Sequence, residues 1–188
     1  MRWIDFVNRV YSELKDGNRL FDFGETFERE QQLTHTIALG LRKFFAESYG
    51  LPADPERLSY HVLYRQGDTD SDKEAWKQSQ MDKWIFFQGV RFVPDILIRR
   101  KFDEPNYILP IEVKLIKDTG TGQGIATAIG QSLIYGSRYP QSLIFIGINR
   151  TSERSKYQLT KHRQPSEEIL YKKLRGLGIR MILRELGE

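Results

Sequence analysis

The chain has 188 residues, enough for one domain with a full core and too few for two comfortable ones; 39% are hydrophobic and 29% charged, without a low-complexity tract, which argues against wholesale disorder. It contains no cysteine, which excludes disulfides, cysteine-ligated zinc and thiol nucleophiles. The net charge of +4 is unevenly placed: residues 1–149 carry 19 Lys and Arg against 20 Asp and Glu, whereas 150–184 carry 10 against 3, a bias that fits a solvated basic face or a surface that meets a polyanion.

In chain order, Trp3, Phe6, Val7, Val10 and Leu14 recur at helical spacing and stop before Asp16-Gly17-Asn18, a turn signal. The opening residues lack the apolar core of a signal peptide, and no stretch approaches the roughly 18–20 apolar residues of a membrane span, so a soluble cytoplasmic protein without membrane partners is expected. A second helix is expected over about 25–49, with Leu33, Ile37, Leu41 and Phe44 or Phe45 on one face and Gly50 and Pro52 ending it. Glu30 falls at the edge of that face and Glu28 on a polar stripe with Gln31, Gln32 and His35; charges here also serve simply to complement the helix dipole.

Residues 51–58 read as a connection and 59–65 as a first strand. The acidic run Asp68 to Asp72 invites a calcium-loop reading, which fails because Lys73 and Ser79 stand where glycine and glutamate are needed. A solvated loop leading into a short helix over about 73–80 is expected instead, then a short apolar segment, Trp84 to Phe87, and a break at Gly89.

The segment 93–114 carries the chemistry. Two runs rich in β-branched residues flank a polar turn containing Asp103, Glu104, Pro105 and Asn106, the pattern of an antiparallel hairpin. Side chains alternate along a strand, so Glu112 and Lys114 share one face and Ile111, Val113 and Leu115 the other, while Asp95 sits in the partner strand just after Pro94. Antiparallel pairing would set Asp95 beside Glu112 as hard oxygen ligands suited to magnesium, with Lys114 placed to orient or help deprotonate an attacking water. Buried carboxylates must either bind a metal or form an internal salt bridge.

After the hairpin, the Gly120 to Gly124 stretch matches neither common phosphate-binding fingerprint and reads as a strand-to-helix connection. A helix over 125–135 follows, with Gln131 and Tyr135 four apart on one face. Pro140 stops it, and 142–148 reads as a fully buried strand. The basic segment 149–165 includes Arg150, Arg154, Lys156, Lys161 and Arg163, a candidate contact for a nucleic-acid backbone. A helix over 167–177 and a strand over 179–183 close the chain, which implies an α/β fold with a mixed central sheet flanked by helices.

Pro94-Asp95 followed by Glu112-Val113-Lys114 resembles the PD-(D/E)xK signature of the restriction-endonuclease-like nucleases, and residues 25–148 are similar to that superfamily's αβββαβ core. The resemblance implies that Asp95, Glu112 and the Val113 carbonyl hold Mg2+, with Mn2+ substituting, and that Lys114 assists the nucleophilic water. It also implies a catalytic glutamate on the first core helix. Gly24-x-x-x-Glu28-Arg29 is similar to the form found in junction-resolving members, while Glu30 competes on periodicity. Gln131-x-x-x-Tyr135 resembles the Gln-x-x-x-Tyr element of the RecB-like branch, which implies a place beside the active site and contact with nucleic acid; His35 matches that branch's upstream histidine loosely.

The expectation is a single domain, with 1–23 an N-terminal helical extension, 24–149 a catalytic core and 150–188 a basic helix and strand. It would be a Mg2+-dependent nuclease hydrolysing phosphodiester bonds in DNA as a restriction, repair or mobile-element enzyme, as a homodimer or part of a larger nuclease complex. The alternatives are a catalytically inactive nucleic-acid-binding or assembly module of the same fold, and a nucleotide-binding α/β enzyme using Gly120 to Gly124.

Overall fold

The computed structural model describes residues 2–17, 20, 25–49, 61–65, 67, 69–79, 84–99, 107–116, 121–149 and 165–187. Helix α1 (Trp3–Asp16) buries Phe6, Val7, Val10 and Leu14 completely, as their spacing requires, and ends where the Gly17 N–H bonds back to the Glu13 carbonyl. Helix α2 (Glu30–Tyr49) begins five residues later than its pattern suggests. Upstream polar groups have other partners: the Phe27 N–H and carbonyl are both taken by the Asn149 side chain, and the Glu28 and Arg29 N–H groups both donate to Gln32 Oε1. The helix therefore starts after this side-chain cap.

Strand β1 (Val62–Tyr64) is short and wholly buried. Helix α3 (Asp70–Gln78) opens with a capping box in which Thr69 Oγ1 accepts from the Asp72 N–H at 3.1 Å and Asp72 Oδ2 from the Thr69 N–H at 3.3 Å. Asp72 is thus not a solvated loop residue. Its buried carboxylate receives Arg42 Nη2 at 2.5 Å, and the Tyr64 hydroxyl lies 3.5 Å from its other oxygen. Strands β2 (Ile85–Phe87) and β3 (Val90–Phe92) form a separate two-stranded ribbon. Its two-residue turn has φ of 47° at Gln88 and 77° at Gly89, the primed geometry that matches strand twist, so Gly89 turns a hairpin of its own and is not merely a break.

The main sheet adds β4 (Ile96–Arg99), β5 (Ile108–Ile116), β6 (Ser142–Asn149) and β7 (Ile179–Leu186), in the order β1-β4-β5-β6-β7. The first three strands are antiparallel and the last three parallel, as the strand-helix-strand connections through α4 (Thr121–Tyr135) and α5 (Pro165–Gly176) demand. This is an α/β architecture with a mixed central sheet flanked by helices. Helix α4 starts four residues before the sequence pattern suggests, so Gly122 and Gly124 lie within the helix; residues 117–120 fall outside the described set.

One face of the sheet packs Ile98, Ile111, Val113 and Phe145 against α1 and α2, and the other packs Ile144, Ile146 and Met181 against α4 and α5. Phe6 and Val10 of the N-terminal helix share their cluster with Ile182 and Leu186 of the last strand. Helix α1 and strand β7 thus contribute to the same apolar cluster as α2. Among the described residues, no helix is long and apolar enough to cross a membrane.

Candidate active site

Ile96 pairs with Ile111, so one step outward along the same antiparallel register Asp95 faces Glu112. The junction is fixed by a hydrogen bond from the Val113 N–H to Asp95 Oδ2 at 2.8 Å. Alternation along β5 sends Ile111 and Val113 into the α1–α2 core and turns Glu112 the other way, toward α4. There the Tyr135 hydroxyl donates to Glu112 Oε2 at 2.6 Å, and Lys114 Nζ donates to Glu112 Oε1 at 2.8 Å. The same ammonium reaches Glu30 Oε1, in the first turn of α2, at 3.2 Å.

Glu112 and Glu30 thus share one ammonium, and Asp95, just ahead of β4, adds a third carboxylate within its electrostatic reach. Burial, reinforced by the Glu112 charge, raises Asp95 to about 7, against the pull of the Val113 N–H and Lys114. Burial also raises Glu112, although Lys114 and Tyr135 favour its ionised form. For Lys114 burial alone would favour the neutral amine, yet the Glu112 charge and hydrogen bond, with Asp95 and Glu30 behind them, raise it and keep it protonated. Tyr135 is raised by burial and by the Glu112 charge, which keeps its proton available for donation.

The structure separates the two helical glutamates that the sequence leaves open. Glu30 meets Lys114, whereas Glu28 is exposed ahead of the helix, its N–H used by Gln32. Tyr135 is fully buried beneath Glu112, so the expected contact with nucleic acid does not fit its position; it holds the carboxylate instead. Gln131 lies one turn earlier on α4, and its buried Oε1 has no hydrogen-bond partner among the described residues. His35 Nδ1 lies 3.2 Å from the Tyr64 hydroxyl, beside the Arg42–Asp72 pair. Arg150, Arg154, Lys156, Lys161 and Arg163 lie outside the described residues.

Two supporting residues carried no recognised signal in the sequence. Asn149, at the end of β6, ties down Phe27 across 122 positions and so sets where α2 begins. Gly147, on the same strand, lets α2 approach: a Cβ there would come within 2.7 Å of Leu33 and Leu186 side chains. A glycine breaking an apolar strand is the only local hint of that close approach.

Among the described residues, no group of three or more His, Cys, Asp or Glu side chains could form a metal cluster. Asp95 and Glu112 are the two facing carboxylates that could hold a cation with main-chain and water oxygens, a donor set of the kind Mg2+ takes when it uses one or two carboxylates and keeps several waters. When ionised, the buried Glu112, the half-buried Asp95 and the nearby Glu30 carry more negative charge than Lys114 balances, which leaves room for a cation or a retained proton. No protein-family model matches the chain, and no curated protein or solved structure is significantly similar to it.

Proposed function

We propose that the chain is a divalent-metal-dependent nuclease of the restriction-endonuclease-like type, hydrolysing phosphodiester bonds in DNA. The observation that carries this reading is the meeting of Asp95, Glu112, Lys114 and Glu30 at one end of the β4–β5 pair. The element succession α2, β1, β4, β5, α4, β6 supports it, since it reproduces an αβββαβ order with α3 and the β2–β3 ribbon inserted after the first strand.

Asp95, Glu112 and the Val113 carbonyl would hold Mg2+, which when bound supplies charge against the developing phosphorane and acidifies water. Lys114, protonated between Glu112 and Glu30, orients the attacking water and stabilises negative charge on the phosphate rather than removing a proton. Tyr135 fixes the Glu112 rotamer from behind, as partners of metal-binding carboxylates do.

The test is cleavage of supercoiled, linear and branched DNA with Mg2+, with Mn2+ and with chelator. Cutting should require the cation and fall by at least about 100-fold in Asp95→Asn, Glu112→Gln and Lys114→Ala proteins that still fold. Undiminished cutting by the Glu112→Gln protein, or cutting that survives chelation, would overturn the reading.

A further inference from the structure

The β2–β3 ribbon presents large apolar side chains to solvent on both of its faces. Phe86 is 66% exposed, Phe87 53% and Val90 55%. Cross-strand pairing puts Phe86 opposite Arg91 on one face and Phe87 opposite Val90 on the other. On the first face the Trp84 ring meets Phe86 edge-on at 6.3 Å between centroids, and the Arg91 guanidinium lies 5.0 Å from the Trp84 centroid. The base of the ribbon is anchored: Ile85 is buried, Phe92 packs on the same cluster as Tyr135, and Arg138 Nη1 donates to the Trp84 carbonyl at 2.9 Å.

We propose that this ribbon is a base-stacking arm whose Phe86 and Phe87 engage unpaired nucleotides beside the cleavage site, directing the enzyme to single-stranded or branched nucleic acid rather than continuous duplex. The placement beside the cleavage site rests on the nuclease reading above. Aromatics exposed on both sides of a narrow ribbon can stack on bases from either side. The charge agrees: residues 84–92 contain Arg91 and no acid, and the residue that pins the ribbon, Arg138, is also basic. The reach agrees as well. Val90 precedes Asp95 by five residues, at most about 18 Å of extended chain, which keeps the ribbon within a few nucleotides of the site.

The experiment compares wild-type, Phe86→Ala/Phe87→Ala and Phe86→Tyr/Phe87→Tyr proteins, all with both side chains already exposed and hence unchanged melting temperatures. Anisotropy with chelator present measures affinity for a fluorescein-labelled oligothymidine and for a blunt duplex of equal length. The alanine pair should bind oligothymidine at least about tenfold more weakly, with duplex affinity within about twofold of wild type, and the tyrosine pair should behave as wild type. Equal oligothymidine affinity in the alanine pair, with Mg2+-dependent cleavage intact, overturns the arm and leaves the nuclease reading standing. Arm-dependent binding in a protein that cleaves nothing with any metal keeps the base contact and overturns the nuclease reading instead. Wild-type self-association that the alanine pair abolishes, with oligothymidine binding unaltered, makes the ribbon an interface between copies and overturns the arm.

Discussion

The Asp95 carboxylate accepts a 2.8 Å hydrogen bond from the Val113 main-chain N–H, so the end of one strand is fastened to the peptide between Glu112 and Lys114. Any change in how β4 meets β5 moves all three charged groups together. The consequences can be measured on Glu112, on the acidity of Asp95 and on the two elements that close over them.

Tyr135→Phe removes the donor to Glu112 Oε2 and leaves a buried acceptor without its partner, at a cost of about 1–3 kcal/mol. The fold should survive, while Mn2+ affinity by calorimetry and cleavage rate fall by about 10–100-fold. Unchanged metal affinity would reduce Tyr135 to a packing residue.

The raised pKa of Asp95 makes metal-free stability depend on pH. Its folded value of about 7 lies above the usual 3.8, so the native state holds the proton more tightly, and this stabilisation is complete below the unfolded value and lost as pH rises through 7. Glu112 acts in the same direction; Lys114, raised from 10.5, contributes stability that is lost only at more alkaline pH. In chelator, melting temperature should therefore drop between pH 5 and pH 8 by on the order of 5 °C. Asp95→Asn should flatten the curve, and Mg2+ should raise the melting temperature more at pH 8 than at pH 5. A metal-free melting temperature that rises over this interval would contradict the assignment.

Glu30→Gln removes one of the two carboxylates that hold Lys114, whereas Glu28→Gln alters an exposed position. Cleavage should fall by about tenfold or more in the first and stay within about twofold in the second. Asn149→Ala, which frees both polar groups of Phe27, should weaken cleavage as Glu30→Gln does. Equal effects from the two glutamates would show that α2 begins elsewhere in solution.

Arg42→Ala strands Asp72 in the interior, where it accepts from Arg42 and caps α3. Breaking such a buried pair costs about 3–5 kcal/mol, roughly 10 °C of melting temperature in a chain of this size. Arg42→Met with Asp72→Leu should recover part of the loss, the remainder reflecting the missing cap. If the single variant melts within a degree or two of wild type, the pair is solvated rather than buried.

The charged hairpin was legible in the sequence because strand alternation and antiparallel pairing are short-range rules: they join Glu112 to Lys114 and set Asp95 opposite Glu112 before any tertiary contact is known. Helical periodicity likewise showed the buried face of α1, and an unbroken apolar run the burial of β6. Periodicity could not choose between Glu28 and Glu30, because the start of α2 is decided by Asn149, a residue 122 positions from Phe27. Nor could composition show that Asp72 is buried against Arg42, that Tyr135 points inward to Glu112, or that Phe86 and Phe87 point outward. The sequence by itself determined which charged groups share a strand pair. Only the tertiary structure decided which glutamate, which tyrosine and which apolar residues join or miss them, because those choices depend on partners brought together by packing rather than by neighbouring positions in the chain.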